Sequence, residues 1–157
     1  MYKQLSILIV FILFSVAIVN AANYKTLDVK RGWNDEIEWY SHEEGLKAAK
    51  ELNKPMLYLF HSTSCGACKR LKPDFASNKQ IEELSKNFVM VNIENKETPS
   101  SDPKFTKDGG YIPRVYFADS TGKPDYSYNS GNAKYHYFYG GAAQIAQQMS
   151  TYVKDHQ

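Results

Sequence analysis

Two kinds of hydrophobic pattern alternate along this chain: short unbroken apolar runs, and longer stretches where apolar residues recur every three or four positions. An unbroken run occupies residues 55–60 (PMLYLF), and two more, residues 88–93 (FVMVNI) and Arg114 to Ala118 (RVYFA), are apolar apart from Asn92 and Arg114. Runs of this length suit strands covered on both faces, as in a sheet between helical layers. Helical patterns lie between them. Ser41-His42-Glu43-Glu44 forms a capping box, with Ser41 as N-cap and Glu44 three residues on. The helix it starts is predicted to reach about Asn53, with Leu46, Ala49 and Leu52 on one face. A second helix is predicted from near Cys65 past Leu71, kinked at Pro73. Residues 80–87 either continue it or form a helix of their own, and a last helix spans residues 142–152.

The connecting segments carry turn residues. Residues 23–35 form a polar lead-in, and Trp33 and Trp39 near it are expected to pack in the core or over it. Residues 94–110 form a long polar loop with Pro99, Pro103 and Gly109-Gly110. Such a loop either gates a site or is simply solvated, and its paired glycines are expected to permit a tight approach to Pro113. Residues 119–123 form a turn. The tyrosine-rich residues 126–139 are expected to be a last strand region broken by a turn at Asn129-Ser130-Gly131-Asn132, or a short hairpin. Its tyrosines and His136 then lie on a half-buried strand face, or alternatively on a partner surface. The order α-β-α-β-β-β-α predicts an α/β fold with a central mixed β-sheet flanked by helices.

The amino end is of another kind. Residues 5–19 (LSILIVFILFSVAIV) are apolar after a single Lys, too short for a membrane span and of signal-peptide length. Removal at or next to Ala21 is expected; the alternative is an uncleaved signal anchor. The organisation expected is therefore a cleavable signal peptide over residues 1–21 and a single domain over 22–157, its core about 35–152. A signal peptide would place the mature chain in an oxidising compartment.

Composition narrows the rest. A chain of 157 residues with 43% hydrophobic content can bury one core without disulfide staples. A formal net charge of +2 gives no reason to expect nucleic acid or, once the signal is removed, a membrane as partner.

The two cysteines, Cys65 and Cys68, are spaced C-x-x-C between an apolar run and a predicted helix. At a helix start, unpaired N–H groups and the helix dipole favour negative charge, which raises the thiolate fraction of Cys65. Lys69 and Arg70 add positive charge nearby. Cys65 is then the exposed nucleophile and Cys68 the buried resolving thiol. Two other readings stay open. A structural zinc site needs four ligands, and only His61 could approach the pair, with His42, His136 and His156 at no ligand spacing. An inert disulfide is the second, although so short a loop restrains little chain entropy.

Strand, CGAC, Lys69, then Pro73 five residues past the second cysteine, with Ile112-Pro113 before a later strand, together resemble the thioredoxin superfamily. The segments CGAC, NFVMVNIE, DGGYIPRVYF and KYHYFY are similar to small endoplasmic-reticulum oxidoreductases related to the anterior gradient proteins. The likeness spans about residues 35–149. It implies a thioredoxin fold and thiol–disulfide exchange on protein or peptide thiols and disulfides, with glutathione a further candidate partner. No metal or cofactor is implied beyond the redox pair. Cys65 is implied as nucleophile, Cys68 as resolving cysteine, and Pro113 as the cis-proline of a substrate loop in which Ile112 pairs with the substrate chain. Anterior gradient relatives lose the second cysteine; this chain keeps it, which favours catalysis. A thioredoxin-fold binding or chaperone-like protein with little catalysis is the alternative.

Four features depart from the family pattern. Leu59 stands where a buried acid assists proton transfer, leaving His61 or a water to substitute. Ser64 replaces the usual Trp. Gly66-Ala67 lacks both the Pro of reducing thioredoxins and the His of isomerases, so a potential between those extremes is expected. The chain ends Lys154-Asp155-His156-Gln157, unlike a KDEL-type signal, so either retention in the endoplasmic reticulum or secretion is expected.

Overall fold

The computed structural model describes residues 29–157; the expected signal peptide and its cleavage point lie outside the described residues. A two-residue strand β1 (Trp39–Tyr40) leads into helix α1 (His42–Leu52), then β2 (Met56–His61), α2 (Gly66–Ser77), α3 (Lys79–Ser85), β3 (Val89–Glu94), β4 (Arg114–Ala118) and α4 (Ala142–Asp155). The sheet order is β1-β3-β2-β4; β3 runs parallel to β1 and β2, and β4 pairs antiparallel with β2. The predicted mixed sheet between helices is therefore present.

β2 is buried along its whole length because the sheet carries a core on each face. Leu57, Leu59, Met90, Val115 and Phe117 pack on one side with Leu71 and Phe75 of α2 and Ile145 and Met149 of α4. Met56, Tyr58, Phe60, Val91 and Tyr116 pack on the other with Ala48 and Ala49 of α1 and with Phe105. Val29, Trp33, Ile37 and Trp39 are buried in the first core, so packing starts before residue 35 and both tryptophans are core residues.

Several expectations are corrected. The buried face of α1 is Gly45, Ala48 and Ala49; Leu46 is half-buried and Leu52 is 54% exposed. Gly45 lies so close to β3 that a Cβ there would stand 2.6 Å from Val91 Cγ2, so the helix approaches the sheet through small residues. α2 continues through Pro73, and Asn78 both ends it and caps α3 by accepting from the Ile81 N–H (3.0 Å). Residues 80–85 thus belong to a separate helix, and Lys86 and Asn87 form the turn after it.

The expected strand or hairpin over residues 126–139 is absent; among the described residues the sheet ends at β4. Polar side chains there capture the N–H groups a ladder would use. Asn129 Oδ1 accepts from Gly131, and Asn132 Oδ1 from Lys134 and Tyr135. The segment still lies along β4, with Val115 N–H donating to Tyr137 O and Asp125 N–H to Phe117 O. Tyr128, Tyr137 and Tyr139 are buried, whereas Tyr135 and His136 are exposed. The loop over 94–110 is anchored by Phe105, packed against Tyr58, Phe60 and Tyr116. Gly109 needs its glycine for a φ of +132°, but a Cβ on Gly110 would meet nothing within 4 Å. Space near Pro113 is therefore no reason for a glycine at 110.

Candidate active site

The carboxyl ends of parallel strands β2 and β3 and the amino end of α2 meet at one edge of the sheet, the usual place for a site in such folds. Cys65 is the N-cap of α2, and its Sγ accepts from the Cys68 N–H at 3.1 Å. A sulfur so placed faces unpaired helix N–H groups and the positive end of the dipole, which stabilises a thiolate. Cys65 and Cys68 form a disulfide within one helical turn, with Cα atoms 5.2 Å apart. Cys65 is half-buried, while Cys68 is 1% exposed. One sulfur is reachable and the other is covered.

The preceding loop is strapped from two directions. Ser62 O accepts from the Cys65 N–H, and Ser62 Oγ from the Ser64 N–H. Glu94, at the end of β3, accepts the Thr63 N–H through Oε1 (3.0 Å). Ser64, Gly66, Lys69 and Arg70 are exposed around the pair, and Ala67 is half-buried. Across from it, the Ile112–Pro113 peptide bond is cis, and the Ile112 carbonyl oxygen lies 3.6 Å from Cys65 Sγ. Ala67, Arg70, Pro113 and Phe138 help line a small adjoining cleft of about 200 Å³. The fold thus brings Ser64, Gly66, Ala67, Ile112 and Pro113 to the two cysteines.

His61 stands elsewhere in the same region, fully buried at the end of β2 with its ring 5.1 Å from that of Trp33. Its Nε2 is 2.6 Å from Asn92 Oδ1. Asn92 Nδ2 donates to the Lys30 carbonyl, so its oxygen faces the ring and His61 carries its proton on Nε2. In the neutral ring Nδ1 then presents a lone pair toward Glu94 Oε2, 3.4 Å away. Both atoms are buried, and neither has a hydrogen-bond partner among the described residues. Burial lowers the His61 pKa to about 4; the Asn92 hydrogen bond and Glu94 oppose that shift, while Arg31 and Lys72 add to it. His61 is therefore neutral at ordinary pH. Leu59, where an acid was expected by family pattern, is fully buried in the apolar core.

Among the described residues no group of three His, Cys, Asp or Glu side chains could hold a metal ion. His61 is engaged with Asn92, His42 faces Tyr58, and His156 stacks on Tyr152. No helix among the described residues is long and apolar enough to cross a membrane.

Sequence reasoning missed Asn92, Glu94 and Arg114. The signal for the first two was the equal length of two parallel apolar runs, which puts His61 and Glu94 side by side in register. For Arg114 it was a charge opening an apolar run.

A family model described as thioredoxin-like matches residues 38–120. Anterior gradient protein 3 of Mus musculus is 40% identical over 93 residues, covering 58% of this chain and 54% of that protein. Anterior gradient protein 2 of Xenopus laevis is 38% identical over 123 residues, covering 76% of this chain and 64% of that protein. The chain thus spans between half and two thirds of the length of these relatives. A thioredoxin from Thermus thermophilus superposes with a TM-score of 0.55 at 15% identity, covering 75% of this chain and 88% of that one. The DsbH oxidoreductase superposes with a TM-score of 0.52 at 19% identity, covering 83% of this chain and 95% of that one. At these identities the superpositions speak to the fold.

Proposed function

The chain belongs to the thioredoxin-like family, and from that premise we propose that it is a thiol–disulfide oxidoreductase acting on protein disulfides in the secretory pathway. The observation that carries this reading is the asymmetry of the pair: Cys65 caps a helix and is reachable, while Cys68 is buried three residues on. In the reducing direction the Cys65 thiolate attacks one sulfur of a substrate disulfide. A Cys65–substrate disulfide forms, and the other substrate sulfur leaves as a thiolate. The Cys68 thiolate then attacks Cys65 Sγ, closing the Cys65–Cys68 disulfide and releasing the second substrate thiolate. Two electrons pass from the pair to the substrate, and the oxidising direction is the reverse. Ile112 and Pro113 are the substrate loop, with Ile112 pairing with the client backbone.

The pair needs no metal or cofactor for this chemistry. The partners are protein or peptide thiols and disulfides, with glutathione able to exchange with the pair. The apolar run over residues 5–19 supports entry to the secretory pathway, removal of residues 1–21, and residence of a single-domain mature chain in the endoplasmic reticulum lumen or outside the cell.

Purified mature protein should reduce a peptide disulfide, and Cys65→Ser should abolish this. Serine is a good N-cap, so this variant should unfold within about 1 kcal/mol of the reduced wild type. A Cys68→Ala variant should accumulate mixed disulfides with clients. Wild-type activity equal to that of Cys65→Ser would defeat the proposal, and clients retained by a double cysteine variant would favour a binding protein.

A further inference from the structure

Arg114 opens β4 and is 1% exposed. Its guanidinium donates through Nη1 to the Tyr111 carbonyl and through Nη2 to the Ser100 carbonyl (2.9 Å), and lies 4.9 Å from the centre of the Phe60 ring. Among the described residues no carboxylate bonds to it. The nearby Asp108 uses Oδ2 to accept from the Tyr111 hydroxyl and the His136 N–H, each at 2.6 Å. A buried cation without a bonded anion is costly. What it obtains here is a fixed position for two main-chain carbonyls.

One of those carbonyls orients the next residue. The Tyr111–Ile112 peptide bond is trans, so its C=O and N–H point in opposite directions. With the Tyr111 carbonyl drawn inward by Arg114, the Ile112 N–H is turned outward, and it makes no hydrogen bond within the described residues. Ile112 precedes a proline, which favours extended backbone, and in extended backbone a residue's own N–H and C=O face one side. That side is the Cys65 side, since the Ile112 carbonyl is 3.6 Å from Cys65 Sγ.

We propose that Arg114 is a positioning residue for peptide substrates: by holding the Tyr111 carbonyl inward it presents the Ile112 N–H and C=O together, facing Cys65, to the backbone of an extended client. The inference rests on the oxidoreductase reading and adds a positioning residue to it. Recognition through main-chain atoms accepts many sequences but requires a peptide backbone beside the disulfide. Through Ser100 the same guanidinium ties the long loop to this edge.

The test compares two substrates with reduced wild type and Arg114→Met: a peptide disulfide, and a small aromatic disulfide that has no peptide backbone. The ratio of kcat/KM for peptide over small disulfide should fall about tenfold, through KM, which is the worth of about one main-chain hydrogen bond to the client. The equilibrium of the pair with glutathione should stay within about twofold. A parallel fall on both substrates, or an unchanged ratio, overturns the proposal. Should Arg114→Met fail to fold, amide exchange on unmutated Arg114 decides. The Ile112 amide should exchange quickly in the free protein and slow at least about tenfold in a peptide mixed disulfide trapped on Cys68→Ala. Slow exchange in the free protein, or no protection in the trapped complex, overturns it. Wild type inactive on both substrates instead removes the oxidoreductase reading itself.

Discussion

Buried at the carboxyl end of β2, His61 has its Nε2 fixed by Asn92 and its Nδ1 facing Glu94. The folded state binds a proton there only near pH 4, whereas an unfolded histidine does so near about pH 6.5. Because the folded pKa is depressed, the unfolded chain takes up more protons as pH falls through this window. Stability is therefore fully present above about pH 6.5 and is lost toward pH 4. Between about pH 7 and about pH 4.5 the loss attributable to His61 should be on the order of 2 kcal/mol. Denaturant unfolding of the wild type and of His61→Gln at both pH values checks this, and an equal loss in both proteins would exclude His61 as the cause. The two cysteines were legible at this scale because the chemistry of C-x-x-C depends on local spacing. Glu94 and Arg114 were not, since their partners lie 33 and 3–14 residues away and are chosen by strand register and a folded loop.

Among the elements, α1 shows how packing overrides periodicity. Its start was readable from the capping box: Ser41 Oγ accepts from the Glu44 N–H and donates to the Glu44 carboxylate. Its buried face was not, because Gly45, Ala48 and Ala49 carry little hydrophobic signal while Leu52 carries much. The helix sits close to β3, and large residues cannot lie between them. Gly45→Ala should therefore destabilise the protein by about 1–3 kcal/mol, although alanine in a helix interior ordinarily gains about 1 kcal/mol over glycine. Chemical denaturation decides the sign, and a stabilised variant would show that β3 yields readily. The missing last strand has a similar origin. Tyrosines at 126, 128, 135, 137 and 139 alternate as in a strand, but Asn129, Ser130 and Asn132 bind local N–H groups first.

For the whole molecule, the lead-in belongs to the core. The family match begins at residue 38, yet Val29, Trp33 and Ile37 are buried before it. Removing them takes a fully buried Trp and two aliphatic side chains from the core, and losing the Trp alone costs about 3–5 kcal/mol. A chain beginning at residue 38 should be unfolded or barely folded by thermal and denaturant unfolding, while one beginning at residue 22 should unfold cooperatively; equal stability would make the lead-in dispensable. The sequence by itself determined the strands β2, β3 and β4, the starts of α1, α2 and α4, the α/β class and the cysteine pair. Each is written in local patterns: unbroken apolar runs, capping side chains and a three-residue spacing. Only the tertiary structure decided which helix face is buried, where the sheet stops, and that Glu94 meets His61 and Arg114 turns the peptide before Ile112. Those depend on how close two elements approach and which residues strand register places opposite one another, and neither distance nor register is encoded in any short stretch of chain.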